Sequence, residues 1–233
     1  MNIKESLQIS DKKSSLILLS IPILLTIYLY HGKHNAFEKY FNYISANIHF
    51  DMFSYMYEYF MAFLLLLIIP LILIKFVFKD KFKDYGLSIG DAKFGFQFTA
   101  IAVLLLIPFL YIGSLMPEMQ STYPEARSVI GSLKPFLLVE CFYMLYYAGW
   151  EFFFRGYMLF GLKKHFGDIA AILIQTIPSC IMHIGKPEPE ILGSILIGIL
   201  FGYLAIRTKS VLYPFLIHLF IGVFTDSTIA SRF

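Results

Sequence analysis

Trp150-Glu151-Phe152-Phe153-Phe154-Arg155-Gly156 lies inside an apolar run of about residues 135 to 162, long enough to cross a membrane, and yet it carries two charges. A carboxylate and a guanidinium at bilayer depth each cost roughly 2.5 to 3.5 kcal/mol on insertion scales, so an intramembrane pair marks a functional site by default. Spaced i to i+4 on a helix, Glu151 and Arg155 lie about 40° apart on one face and can pair. The remaining chain is read by asking what meets them.

Composition sets the class. Of 233 residues, 58% are apolar and only 15% charged, with a mean hydropathy of +0.69, a balance that a water-soluble surface of this size does not tolerate. The expected fold is an all-α polytopic membrane helical bundle. Apolar runs at about 16–30, 55–78, 94–115, 135–162, 168–184, 191–206 and 211–226 predict about seven transmembrane helices. Residues 1–134 supply N-terminal membrane helices and loops, and residues 135–226 the core that carries the chemistry, within one integrated membrane domain.

The net charge of +3 comes from basic residues in the connections between apolar runs, which excludes a basic face suited to nucleic acid. In an alternating seven-span chain, twelve Lys and Arg fall on the N-terminal side, among them Lys4, Lys12, Lys13, Lys79, Lys81, Lys83, Lys163, Lys164, Arg207 and Lys209. Six fall on the other: Lys33, Lys39, Arg127, Lys134, Lys186 and Arg232. The positive-inside rule then puts the N-terminus in the cytoplasm. Residues 1–30 imitate a signal peptide, but His31-Gly32-Lys33 offers no small-residue cleavage site, so the segment reads as a retained first span.

Residues 31–54, with His31, His34 and His49 among aromatics, read as an interfacial loop with an aromatic belt rather than a metal-binding cluster. The basic link 79–93 reads as a topology signal, with anionic lipid contact as a lesser role. Cys141 and Cys180 lie in apolar runs as small hydrophobes and match neither a zinc nor a redox motif. Ser194, Gly198 and Gly202 form a small-xxx-small stripe for close helix packing.

Three more polar groups bear on the pair. Glu140 lies eleven residues before Glu151, about 20° around the same helix, near the outer boundary where water can solvate it. His183 ends the fifth run and His218 lies in the middle of the seventh. A lone Glu-Arg pair can simply lock helices together, and a lone histidine in a span is commonly a helix-to-helix hydrogen bond. A Glu and two His on three helices, however, are the parts needed to hold and deprotonate a water, directly or through a metal. Counting along the chain sets Glu151 about 18 Å from Lys163, while His183 is three residues from Lys186 at the nominal opposite surface. A tilted fourth helix, or a cavity into which the Lys186–Glu190 link dips, is needed to bring them level.

In this order the residues resemble the CPBP family, also called the CAAX-protease and bacteriocin-processing or Abi family, of membrane-embedded peptidases. Its pattern is EExxxR, then FxxxH, then HxxxN; Glu151 and Arg155 match the second Glu and the Arg, and His183 and His218 match the two histidines. The resemblance covers about residues 135–226. Three positions depart: Trp150 replaces the first Glu, Ser179 the Phe, and Gly222 the Asn. What it implies is an intramembrane endopeptidase in a bacterial plasma membrane, acting on a membrane-associated peptide or protein amid membrane lipid. Glu151 with His183 would activate water, His218 would polarise the carbonyl or hold the water, and Arg155 would orient Glu151.

The family has been described both as metal-dependent and as glutamate-type, so a divalent metal such as Zn, if used, would be held by His183, His218 and Glu151. The missing Asn implies a missing oxyanion donor. Trp150 and Gly222 equally support a catalytically silent membrane scaffold or bacteriocin-immunity protein. A small transporter with a proton-relay Glu fits the polar residues but lacks a visible repeat or pair of broken helices. Glu190, at the start of the sixth run, reads first as a helix N-terminal acid.

Overall fold

The structure, a computed structural model, describes residues 12–47 and 49–233. Lys4 and the rest of the signal-like N-terminus up to residue 11 lie outside them. Among the described residues there is no strand, only one isolated bridge between Ile184 and Lys186. The chain is an all-α membrane bundle. Helix α1 (Lys12–Ile27) runs on through a wide turn, Tyr28–Gly32, to short α2 (His34–Tyr40). Helix α3 (Phe50–Phe63) continues with widened turns to Phe78. Next come α4 (Ala92–Gly113), α5 (Pro117–Thr122) and α6 (Leu133–Glu151). Helix α6 passes without a break through a π-helical stretch, Phe152–Met158, into α7 (Leu159–Phe166). Helices α8 (Asp168–Ile181), α9 (Glu188–Thr208) and α10 (Leu212–Ala230) complete the fold.

All seven apolar runs are therefore helical. Among the described residues, five helical segments, Lys12–Gly32, Phe50–Phe78, Ala92–Gly113, Glu188–Thr208 and Leu212–Ala230, are long and apolar enough to cross a membrane. The fourth run differs because Glu140, Glu151 and Arg155 interrupt it. The fifth is only 14 residues long, about 21 Å against a hydrocarbon core of ~30 Å. Helix α4 shows what surrounds the bundle: its one buried residue is Gly95, while Ile101, Leu104, Leu105, Phe109 and Ile112 stand exposed. An apolar surface of that extent is compatible with lipid, not water.

The π-helical stretch is the centre of the packing, and each residue from Phe152 to Met158 is buried, against α1, α3 and the 3₁₀ turn Phe82–Tyr85. Gly167, at φ +81°, turns the chain between α7 and α8. That backbone conformation favours glycine, and it folds α8 back along the helix it follows. The small stripe on α9 packs as the sequence predicts: a Cβ on Gly198 would meet Thr176 Cγ2 at 2.8 Å, and Gln175 Nε2 donates to the Gly198 carbonyl at 2.8 Å.

The connections sort into two ends. At one end Lys13 pairs with Asp80, Arg207 Nη1 meets Asp91 Oδ2 at 2.9 Å, and Ser88 Oγ donates to the Lys209 carbonyl at 2.8 Å. Asp91 also caps α4, accepting from the Phe94 N–H at 3.2 Å. The hydrogen bond from Arg207, then that from Phe94, hold the Asp91 carboxyl below the usual range. At the other end Arg232 Nη2 donates to Ser114 Oγ at 2.9 Å, and Lys186 pairs with Glu125. The segment expected as a loop over 31–54 contains α2, and His34 is engaged by the bundle. Its Nδ1 lies 2.6 Å from Oε2 of buried Glu58, whose Oε1 accepts from Tyr28 at 2.8 Å.

Candidate active site

Glu151 ends α6 and is 0% exposed; Arg155, one turn on in the π-helical stretch, is 1% exposed. Arg155 Nη1 lies 3.3 Å from Glu151 Oε1, an ion contact without hydrogen-bond alignment. The guanidinium also faces the rings of Phe201 and Phe154, 5.6 and 5.9 Å away, which accommodates its charge where water is absent. His218, from the middle of α10, places Nδ1 2.6 Å from the same Oε1. A carboxylate only accepts, so Nδ1 carries the proton and Nε2 of a neutral imidazole keeps its lone pair. Oε2 of Glu151 is buried with no hydrogen-bond partner.

Of the two histidines, then, His218 meets Glu151. His183 lies one ring away: its imidazole packs edge-on against Trp150, with centroids 5.4 Å apart, and makes no hydrogen bond to Glu151. Its Nδ1 donates to the Ser179 carbonyl at 2.7 Å, which again leaves Nε2 as the atom with a lone pair. The depth problem posed by counting disappears in the hairpin. Glu151 stands sixteen residues before Gly167 and His183 sixteen after it, so a turn at Gly167 sets them level. Counting fails because the helix from Leu133 to Phe166 is about 50 Å long, well beyond a membrane core, so the ends of α6–α7 do not mark the surfaces.

The link after His183 is tied inward. Lys186 pairs with Glu125 and lies over the Tyr123 ring at 4.8 Å, Tyr59 Oη donates to Glu125 at 2.9 Å, and Tyr123 Oη donates to Glu190 at 2.8 Å. Burial works against the Lys186 charge, but Glu125 and Glu190 outweigh it and hold the ammonium above its ordinary value. Glu190 is thus a hydrogen-bond acceptor in this network as well as an acid in the first turn of α9.

Glu140 needs correction. It is 8% exposed rather than solvated, and its carboxyl meets that of buried Asp226 on α10, with no other hydrogen-bond partner for either Glu140 oxygen. Asp226, Glu58, Glu125 and Tyr147 went unnoticed in the sequence; an acidic residue at or inside the edge of an apolar run was the signal for the first two. Trp150, where the family pattern has an acid, is buried among Tyr146, Phe154 and His183, and its Nε1 has no partner.

Glu151 backs a cavity of about 350 Å³ whose other walls include Leu67, Leu87, Ile89, Phe152, Leu212 and Phe215. It lies toward the end of the bundle that holds the 79–91 and 207–211 links. The metal that the resemblance allows finds no ready set of ligands. Among the described residues no group of three or more His, Cys, Asp or Glu is gathered so that it could hold a metal ion, and His218 Nδ1 is already engaged by Glu151.

No curated protein and no solved structure gives a significant match. Residues 132–224 match the family model described as Rce1-like, type II CAAX prenyl endopeptidase Rce1-like, a stretch that holds Glu151, Arg155, His183 and His218. The match bears out the resemblance to the CPBP family over residues 132–224.

Proposed function

We propose that the chain is an intramembrane endopeptidase that cleaves a membrane-associated peptide or protein with water activated at Glu151. The observation that carries this reading is the state of one carboxylate: Oε1 is fixed by His218 and Arg155, while Oε2 is buried, unpartnered and behind the wall of an apolar cavity. A general base must be held by one set of contacts and free on the atom that takes the proton.

In the proposed step, a water beside Oε2 gives its proton to Glu151 as its oxygen attacks the peptide carbonyl carbon. The carbonyl electron pair moves to oxygen; on collapse it re-forms the double bond, the C–N bond breaks, and Glu151 returns the proton to the leaving amine. Arg155 balances the charge of the carboxylate and His218 fixes its orientation. His183 Nε2 is the second acceptor for the water, approaching from the Trp150 side. The apolar walls suit a hydrophobic peptide segment or its lipid-embedded part. A cavity toward the end bearing most of the basic links supports cleavage near the cytoplasmic face, with the N-terminus inside.

A catalytically silent scaffold is the second reading, favoured by the full burial of Glu151 and by Trp150 and Gly222. The two separate in one assay: cleavage of a peptide library by purified protein in lipid nanodiscs, for wild type, Glu151→Gln and His218→Ala at matched folded yield, with and without chelator. Cleavage lost in both variants and insensitive to chelator is expected. No cleavage by folded wild type would leave the scaffold, and loss on chelation would require a metal that these side chains gather only on binding it.

A further inference from the structure

A second cavity, of about 540 Å³, opens at the end of the bundle where Lys13 pairs with Asp80. Small-molecule sites span roughly 300 to 1,000 Å³, so it has room for a ligand. The side chains around it carry three ammonium groups, of Lys13, Lys163 and Lys164, and three carboxylates, of Asp80, Asp84 and Asp168. One pair is already closed. Asp80 accepts from Lys13 and, at 2.9 Å, from Tyr85 Oη. Burial works against its charge, but these two bonds outweigh it and hold the carboxyl below the usual range. Among the described residues the other four, Asp84, Lys163, Lys164 and Asp168, enter no ion pair, and Lys163 lies over the Phe160 ring at 5.0 Å. Two cations and two anions are thus left around one hollow.

Apolar surface begins directly below these charges. Leu16 and Leu19, about one and two turns after Lys13 on α1, are exposed, as are Ile169, Leu173 and Ile177, an i, i+4 ridge on α8 that starts beside Asp168. Such ridges suit lipid, so the charged rim stands at headgroup level with acyl chains beneath it. We infer that the cavity binds the headgroup of a zwitterionic phospholipid, with Lys163 and Lys164 on the phosphate and Asp84 and Asp168 on the ammonium. Charge balance selects the class. A phosphate without a cation, as in an anionic lipid, satisfies the lysines but sets added negative charge beside both carboxylates. A phosphodiester bearing a primary ammonium, the chemistry of phosphoethanolamine, satisfies both sets and donates N–H to the carboxylates, which a quaternary ammonium cannot do. Lys163, Lys164 and Asp168 flank Gly167, so a headgroup held between them braces the turn that sets His183 level with Glu151. The lipid site stands apart from Glu151 and does not require that the chain cleave peptides.

The test is native mass spectrometry of the full chain released from micelles that hold equal amounts of phosphatidylethanolamine, phosphatidylglycerol and phosphatidylcholine with identical acyl chains. Wild type should retain phosphatidylethanolamine in preference to the other two. Lys163→Ala/Lys164→Ala should lower that retention on the order of tenfold, as two interfacial lysines allow. Asp84→Asn/Asp168→Asn keeps the phosphate contacts and should shift the preference to phosphatidylglycerol. Both variants leave the Lys13–Asp80 pair in place and should keep the wild-type melting temperature in lipid-free detergent. Equal retention of phosphatidylethanolamine and phosphatidylglycerol by wild type, or wild-type retention by both variants, would overturn the assignment. Soluble glycerophosphoethanolamine is the competitor: if it displaces the lipid at equal concentration, the recognised group comes from water and the assignment to a lipid falls.

Discussion

Arg155→Met tests whether the centre of the bundle is held by charge as well as by packing. Methionine keeps much of the apolar volume beside Phe154 and Phe201 but leaves Glu151 without its cation. At the observed 3.3 Å, an effective dielectric of ~20 puts the attraction near about 5 kcal/mol. Desolvation offsets part of that, and removing one member of a buried pair typically costs about 3 to 5 kcal/mol because the other charge is stranded. Glu151 keeps its bond from His218, so about 3 kcal/mol is the expected loss, the lower end of that range. Glu151→Gln strands Arg155 instead and should cost a similar amount. The double variant strands nothing, so its loss should fall short of the sum by about 2 kcal/mol, the coupling of the pair. Equilibrium unfolding in bicelles with denaturing detergent reads this directly, because the one tryptophan of the chain, Trp150, adjoins Glu151 and reports by its own fluorescence. Strictly additive losses, or an Arg155→Met protein as stable as wild type, would refute the account of the pair.

Two further outcomes are expected from the frame around the site. Gly198→Val places a branched side chain where even a Cβ meets Thr176 at 2.8 Å, so α8 and α9 should separate and stability fall by about 1 to 3 kcal/mol in the same unfolding assay; unchanged stability would contradict the close packing. The Asp91 carboxyl is held below its usual value, first by Arg207, so its stabilisation is present above the ordinary carboxylate range and disappears as pH falls through the lower folded value. The melting-temperature gap between wild type and Asp91→Asn should therefore be open at neutral pH and close below about pH 4, and a gap that widens in acid would reverse the sign of the argument.

The bundle was legible because lipid imposes a coarse rule, long apolar runs, and the rule needs no knowledge of partners. The same runs hid the geometry of the site. Depth was not legible because no local pattern marks Gly167 as the pivot of a hairpin that returns His183 to the level of Glu151, and because a helix longer than the membrane has no end at the surface. Glu151 and Arg155 were visible, since charge in an apolar run is costly and sits on one face. That His218 rather than His183 would hold Glu151 was not visible, because both are histidines at helix faces and only the packing of α10 on α6 selects one. Gly222 read as a loss of chemistry while the sequence stood alone. In the fold it is a notch that takes the Tyr147 side chain, and such complementarity between residues 75 positions apart in the chain leaves no local pattern.

The most direct test of the central claim is cleavage in water enriched in oxygen-18, with the new carboxyl terminus of the product peptide weighed by mass spectrometry after a single turnover. Wild type in nanodiscs should place one oxygen-18 atom in that carboxylate, and Glu151→Gln at matched folded yield should give no product above background. Equal labelled product from Glu151→Gln, or a folded wild type that releases none, would contradict the account.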